Sequence, residues 1–170
     1  MHKNYMRIDI HSWETKRMLE TRRVGDLIGL MEILEDFNEP LDIARLDDQL
    51  DEERVTLLNL LQDAESLGLI EVDNGDVFVT SLGREFLKAD VEKRRDIVRE
   101  RMLHIEPFKT LLHELQKLQD KSVEKEWLQN FIHNYFPSDN EKRTFDIIIG
   151  WGRYARILNY DSDSDEIRFR

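Results

Sequence analysis

The sequence predicts a mainly α-helical protein with small β-hairpins, built as two winged-helix-like units that are joined by long central helices. Several segments carry apolar residues at the three- and four-residue spacing of one helical face. Asn74-Gly75 lies between two short runs rich in β-branched residues, which is the strongest short hairpin signal in a sequence. Because the second half repeats this order of three helices and a hairpin, we interpret the chain as an internal repeat of low similarity.

The first unit is predicted at residues 24–90, after an N-terminal arm at residues 1–23. Large apolar side chains in the arm should dock on this chain, on a second copy or on a neighbouring domain. The first helix, Val24 to Phe37, should end before Pro40, because the residue that precedes a proline disfavours the α conformation. Its buried face is predicted to consist of Leu27, Leu30, Met31 and Leu34.

Two more helices and the hairpin complete the core of this unit. A short helix is predicted at residues 43–50. The next helix should have Asp51 as its N-cap and should stop at Gly68, since glycine is the usual residue just past a helix C-terminus. Its predicted apolar set is Val55, Leu57, Leu58, Leu61, Ala64 and Leu67. The hairpin follows at residues 69–79, and Thr80 or Ser81 should cap a further helix.

The second unit is predicted from the connecting helices at residues 91–121, which contribute to it, and from its remainder at residues 122–170. The stretch from Val91 to about Leu118 should form one long helix, or two helices joined near Pro107, because an interior proline kinks or breaks a helix. The remaining predicted elements are helices at residues 123–136 and 141–158 and a hairpin at residues 159–169.

Charge is divided unevenly between the two units. Residues 26–76 carry 16 acidic side chains against two arginines, a net charge of −14, whereas residues 91–170 carry 15 acidic and 15 basic side chains. Winged helices usually bind DNA, but a surface that faces phosphates has to be positive. The first unit therefore does not fit nucleic acid, and for the second unit the question stays open.

A basic cluster is the first candidate contact surface. It consists of Lys93, Arg94, Arg95, Arg99 and Arg101, interleaved with acidic residues at helical pairing distances. This pattern favours a salt-bridged exposed helix, or one that binds an acidic partner such as the first unit, over a phosphate contact.

The second candidate is a seam in the last helix, formed by Gly150, Trp151, Gly152, Arg153 and Tyr154. Each glycine costs roughly 1 kcal/mol in a helix interior, so close packing against another backbone is expected there. We interpret the seam as a packing surface first, because buried aromatic side chains dominate cores and interfaces, and as a ligand cleft second. The middle of the same helix is too apolar to lie exposed in a DNA groove, so only its ends could touch DNA.

No catalytic residue, cofactor site or metal site is predicted, and we expect no enzyme activity. The sequence has no cysteine, and its five histidines show no zinc-ligand spacing. No nucleophile motif and no tight carboxylate pair in an apolar setting is visible. The acidic run at residues 161–166 resembles a calcium loop only superficially, because Glu166 takes the place of the required glycine; a solvated turn is expected.

Nothing in the sequence predicts insertion into a membrane or export from the cell. No run approaches the roughly 20 apolar residues that a membrane helix needs. The first residues, Met1 to Tyr5, lack the apolar stretch of a secretory signal. We therefore expect a cytoplasmic protein.

Three ordered segments resemble the signatures of the AAA-associated C-terminal domain family. They are RVGDLIGL at residues 23–30, GDVFVTSLGR at residues 75–84 with Ala89-Asp90, and GWGRYA at residues 150–155 with Asn159-Tyr160-Asp161. In most members of this family, the domain that this chain resembles follows the ATPase subunit of nitrate-, sulfonate- or taurine-type ABC importers in the same polypeptide. The resemblance implies an accessory role beside a transport ATPase and supplies no catalytic residue.

The sequence contains no Gly-x-x-x-x-Gly-Lys-Ser/Thr phosphate loop, so we expect the domain to be free-standing and to act in trans. The expected function is a non-catalytic accessory or regulatory domain that docks on an ABC-type transport ATPase, with homodimerisation also open. Two alternatives remain: a winged-helix DNA-binding transcriptional regulator built on the second unit, and a sensor of a small molecule or anion in the cleft between the units.

Overall fold

The computed structural model describes residues 18–37, 40–50 and 54–170. Within these residues the protein is mainly helical, which confirms the predicted class, and it contains eight helices and six strands. In chain order the elements are α1 (Val24–Glu35), β1 (Leu41–Asp42), α2 (Ile43–Leu50), α3 (Arg54–Ser66), β2 (Ile70–Asp73), β3 (Asp76–Val79), α4 (Ser81–Lys88), α5 (Val91–Met102), α6 (Phe108–Leu115), β4 (Ser122–Glu124), α7 (Lys125–Tyr135), α8 (Glu141–Tyr154), β5 (Leu158–Asp161) and β6 (Glu166–Phe169).

Both predicted hairpins are present, and each belongs to a three-stranded antiparallel sheet. The sheet orders are β1-β3-β2 and β4-β6-β5. Asn74 and Gly75 have φ angles of 52° and 83°, the left-handed pair that a tight hairpin turn requires. The sequence did not predict β1 and β4, because strands of two and three residues are too short to show an alternating pattern.

The helices of the first half bury the predicted faces with one exception among the described side chains, which do not include that of Val55. All four residues predicted for the α1 face are buried, as are Leu57, Leu61, Ala64 and Leu67 of α3. Leu58 was wrongly placed in the apolar set: it is 47% exposed, and Leu60 is buried instead. A step of about 100° per residue turns position 58 away from the face that positions 57, 60, 61 and 64 share. The predicted cap Asp51 lies outside the described residues.

The stretch from 91 to 118 forms two helices, α5 and α6, rather than one long helix. Residues 103–107 separate them, and Pro107 is the N-cap residue of α6 after a cis Glu106–Pro107 bond. The expected break near the proline is therefore confirmed. Helix α7 begins two residues later than predicted because Val123 pairs with Ile167 in a sheet. Helix α8 ends at Tyr154 and not near residue 158, and Arg156 leaves it with a φ of 59°.

Residues 24–79 and 108–169 share one order of elements: helix, strand, helix, helix, strand, strand. The repeat seen in the sequence thus recurs in the structure, while the comparison with winged helices stays a prediction. Buried side chains from both halves form one continuous core, and α4 and α5 link the halves. None of the helices within the described residues has the length and apolar character to cross a membrane.

Candidate functional site

The two halves are joined by residues 18–23, which we call the strap. The strap is the described part of the predicted arm, and it is not free. Met18 forms a parallel bridge with Glu106, and the Leu19 N–H donates to the Glu106 carbonyl at 2.9 Å. Leu19 is 1% exposed and belongs to the core. The apolar arm therefore docks on this chain at least through Leu19; the earlier residues 1–17 lie outside the described part.

Helix α3 fixes the strap on the side of the first half through Asp63. The Glu20 N–H donates to both carboxylate oxygens, at 3.1 and 3.0 Å, and the Thr21 N–H donates to Oδ2 at 2.6 Å. Asp63 itself is completely buried. An extended segment that runs over a core needs acceptors for its N–H groups, and Asp63 supplies them.

The environment of Asp63 is unfavourable to its charge. Burial raises the pKa of the carboxyl to about 6, against the N–H donors of Thr21 and Glu20, which lower it. Burial dominates because removing a carboxylate from water disfavours the ionised form. Near neutral pH the strap is thus held by a buried carboxylate that is close to its titration range.

Helix α8 fixes the same strap on the side of the second half. The Trp151 indole Nε1–H donates to the Thr21 carbonyl at 2.7 Å, and both residues are buried. Arg143 donates to the Glu20 carbonyl at 2.5 Å. Arg22 forms an ion pair of 2.7 Å with Asp146. Because one short segment is bonded to α3 and α8 together, it acts as a joint between the halves.

The seam residues divide into a buried and a part-exposed set. Trp151 and Gly152 are buried, and a Cβ on Gly152 would lie 2.5 Å from the Leu158 side chain. The packing at this glycine is therefore close, but against a side chain and not against another backbone as expected. Gly150 has more room: its Cβ would lie 3.5 Å from the Arg22 carbonyl oxygen, an ordinary contact. Buried side chains offer no surface to another protein.

The other two seam residues reach the molecular surface. Arg153 is exposed and donates to the Tyr160 carbonyl at 2.6 Å. The Tyr154 ring is half-buried beneath the guanidinium of Arg95, 4.9 Å from the ring centre. A contact between the seam and a partner stays a prediction, and Arg153, Tyr154 and the partly exposed Gly150 are the seam residues placed to make it.

Three arginines of the predicted basic cluster bond to the ends of other helices. Arg94 donates to two carbonyls at the end of α4 (3.0 Å each), Arg95 to the Tyr154 carbonyl that ends α8 (2.7 Å), and Arg101 to the Leu67 carbonyl just after α3 (2.9 Å). Helix C-termini have unpaired carbonyls and partial negative charge, which cations stabilise. Helix α5 is therefore a hub that ties α3, α4 and α8 together.

The remaining cluster members are available at the surface. Lys93 makes a loose ion pair with Glu85 at 3.7 Å, with both side chains more than half exposed. Arg99 is exposed and has no ion-pair partner among the described residues. Arg101 is exposed as well, although its Nε–H is bonded to the Leu67 carbonyl. Contact of these cations with a partner stays a prediction.

Sequence reasoning missed Asp63, although a signal was present. Asp63 lies one helical turn after Leu60, directly before Ala64 and one turn before Leu67, so it falls inside the apolar stripe of α3. A carboxylate on such a stripe has to find donors when it is buried. Its donors are backbone N–H groups more than 40 positions away, which no local pattern reveals.

Metal ligands do not cluster in the described part of the chain. The described residues contain no group of three or more histidine, aspartate or glutamate side chains that could hold a metal ion. The acidic run at residues 161–166 forms the turn between β5 and β6, as expected, and the Asp163 N–H donates to Asp161 at 2.9 Å.

The protein is thus a helical module of two halves, and its buried and charged polar side chains bond the halves to the strap and to α5. The pattern that defines the C-terminal AAA-associated domain family matches residues 44–161, so the chain belongs to this family. The match covers all of the second and third segments that carry the resemblance, whereas the first segment lies before it. It is consistent with an accessory domain linked to AAA or ABC ATPases. No curated protein and no solved structure matches the chain.

Proposed function

We propose that this chain is a non-catalytic accessory domain that regulates an ABC-type transport ATPase by docking on it. The observation that carries the proposal is the family match over residues 44–161. The strap supports the proposal, because its bonds to both halves fix their relative position. Binding of the ATPase to one half can therefore affect the position of the other half.

The chemistry of the joint also favours a non-catalytic role. A general acid or base has to come within hydrogen-bond reach of a reacting group. Asp63, whose pKa is raised to about 6 by burial, is completely buried under the strap and bonded to its backbone. In the proposed function this carboxylate holds the halves together, and nucleotide hydrolysis belongs to the ATPase.

We further propose that the ATPase is a separate polypeptide, that the complex is cytoplasmic and that each half is a winged-helix-like unit. The 170 residues contain no phosphate loop, so none of them supplies the nucleotide site that the proposal needs. The repeated element order, with the third strand at the centre of each sheet, supports the last point.

Affinity capture tests the proposed function. The tagged chain is bound at moderate salt, and the retained proteins are identified by mass spectrometry. We expect to recover an ABC ATPase subunit, and we expect the purified subunit to hydrolyse ATP at a different rate when the chain is added. Failure to recover any ATPase, under conditions that preserve known transporter complexes, would refute the proposal.

A matched pair of variants shows whether the basic cluster takes part. Lys93→Glu with Arg99→Glu changes the two exposed cations of the cluster that bond to no helix end, whereas Lys109→Glu with Lys142→Glu makes the same change of charge at exposed positions outside the cluster. If the cluster contacts the ATPase, only the first pair should reduce recovery. Equal recovery with both pairs would remove the cluster from the contact surface.

An anion sensor is the second candidate, favoured by a cavity beside the strap. The cavity has a volume of about 190 Å³, and three arginines and two carboxylates line it, namely Arg22, Arg23, Arg143, Glu20 and Asp26. A ligand that binds only the folded state raises its stability. Nitrate or a sulfonate should therefore raise the melting temperature more than chloride at equal ionic strength, and Arg23→Gln should abolish the difference. Identical melting temperatures in the three salts would exclude this function.

DNA binding has less support than either candidate. Within α8 and the residue pair that follows it, Arg143 bonds to the strap, Arg153 to the Tyr160 carbonyl, and Arg156 to Glu92 at 2.7 Å. Guanidiniums engaged in this way would have to break their bonds to reach phosphates. Binding to duplex DNA that falls steeply with salt concentration would reinstate the alternative.

A further inference from the structure

An open groove runs along α7 in the second half, and we call it the α7 groove. Two adjoining cavities of about 460 and 310 Å³ form it, and they share Leu118, Trp127 and Asn130. One wall is the exposed side of α7; the other is the end of α6 with the loop that follows. With 11 residues, α7 provides a wall of roughly 16 Å, about three turns of helix.

The floor of the α7 groove is a ladder of aromatic rings. Trp127 stacks on Phe131 with 5.8 Å between ring centres, and Phe131 contacts Tyr135 at 5.1 Å. The three residues recur every four positions, so they share one side of α7. Phe131 is buried, but Trp127 is only partly covered and Tyr135 is 47% exposed. The stripe thus continues past the core into the groove, where rings of this kind dominate binding energy in protein interfaces.

The rim of the α7 groove is acidic. Asp120, Glu124 and Glu126 line it and are exposed, and none of them has an ion-pair partner among the described residues. Among the residues that line the two cavities, Lys117 is the one lysine or arginine, and it forms an ion pair of 2.6 Å with Glu114. The groove therefore combines an apolar floor with uncompensated negative charge.

We propose that the α7 groove binds a basic amphipathic helix of a partner protein. Apolar side chains spaced along one face of such a helix would pack on the aromatic ladder, as in other helix-in-groove complexes. Lysine or arginine side chains beside that face would reach the three rim carboxylates. A cation placed over the exposed part of Trp127 or Tyr135 gains further stabilisation from the ring. The inference extends the proposed function, in which the helix belongs to the ATPase.

Synthetic helices test the groove without knowledge of the partner. The probe is a labelled 14-residue peptide (about four helical turns) with leucine on one face and lysine on the other. A second peptide carries glutamate in place of lysine, and a third has the composition of the first in a scrambled order. By fluorescence anisotropy we expect the lysine peptide to bind at least about ten-fold more tightly than the other two.

Matched variants locate the binding. Glu124→Lys with Glu126→Lys, and separately Tyr135→Ala, should each weaken binding of the lysine peptide about ten-fold. Glu71→Lys with Glu100→Lys makes the same change of charge at exposed positions outside the groove and should leave binding unchanged. Circular dichroism melts confirm that each variant is folded, and Tyr135 is exposed enough for its truncation to be tolerated.

Several results would overturn the inference. Equal weakening by the control pair would mean general charge attraction, and equal binding of the scrambled peptide would mean that no helix face is recognised. A dimer of the chain that Tyr135→Ala dissociates would assign the groove to a second copy. The proposed function is judged separately. If wild type and groove variant recover the ATPase equally, the proposed function stands and the groove is not its contact site. If the lysine peptide binds but no ATPase is recovered, the groove stands as a helix-binding site and the proposed function is refuted.

Discussion

Replacing Asp63 by asparagine should change how the stability of the protein depends on pH. In the folded protein burial raises the pKa of Asp63 to about 6, whereas its ordinary value is 3.8. Between these two values the folded state holds the proton and the unfolded state has lost it. Stability contributed by this group is therefore greatest below the lower pKa and falls as the pH rises through the higher one. Asparagine does not titrate, so the variant lacks this fall.

The size of the effect follows from the shift of the pKa. Each pKa unit corresponds to 1.36 kcal/mol, so a shift of about two units amounts to about 3 kcal/mol. The free energy of unfolding of wild type minus that of Asp63→Asn should decrease by this amount between about pH 3 and about pH 7. In a protein of this size the difference in melting temperature should change by roughly 6–12 °C.

Thermal or urea unfolding of both proteins across this pH range measures the difference directly. Any fixed penalty from the amide, which keeps one acceptor oxygen but adds an N–H₂ group beside the strap, shifts the whole curve and leaves its slope unchanged. Titrating groups that do not interact with Asp63 cancel in the subtraction, whereas Glu20, whose charge raises the Asp63 pKa, is part of the measured difference. Parallel stability curves for wild type and variant would show that Asp63 has an ordinary pKa and would refute the account of a strained, buried carboxylate.

Two further substitutions test the joint and the packing. Trp151→Phe removes the indole donor to the strap and should lower the free energy of unfolding by about 1–3 kcal/mol. The control Trp127→Phe should lower it less, because the Trp127 indole donates no hydrogen bond within the described residues. Equal losses would contradict a stabilising role of the Trp151–Thr21 hydrogen bond. A Cβ on Gly83 would overlap the carbonyl oxygen of Leu69, so Gly83→Ala should lower stability by about 3 kcal/mol or more. Gly29→Ala on α1, which meets nothing within 4 Å, should raise stability by up to about 1 kcal/mol, and melting curves that shift alike would refute the steric argument.

Local patterns predicted those parts of the fold that depend on neighbouring residues. The α1 face follows from spacing alone, and the turn at Asn74-Gly75 follows from the two residues that tolerate its left-handed backbone. Thr80 was one of two predicted caps, and its hydroxyl accepts from the Gly83 N–H at 3.0 Å. Each of these features is decided within a few positions of the chain.

The joint could not be predicted because its contacts are remote in sequence. Thr21 meets Asp63 from 42 positions away and Trp151 from 130 positions away. The basic cluster shows the same limit: charge spacing predicted an exposed salt-bridged helix, yet Arg95 and Arg101 bond to the ends of helices that the chain forms elsewhere. Sequence reasoning singled out Trp151 but not Asp63, and only the tertiary fold shows which backbone groups the two side chains satisfy.

The long separation between the two sides of the joint sets an order of events during protein synthesis. The strap leaves the ribosome 130 residues before its last partner, Trp151. At rates of 5–20 residues per second, the strap waits roughly 6–26 s for that partner. During this interval Asp63 is already present to hold it on the first half, whereas the carbonyl of Thr21 stays open to water. The nascent first half thus exposes a backbone acceptor, the Thr21 carbonyl, that is satisfied only when Trp151 of the second half is synthesised and donates to it.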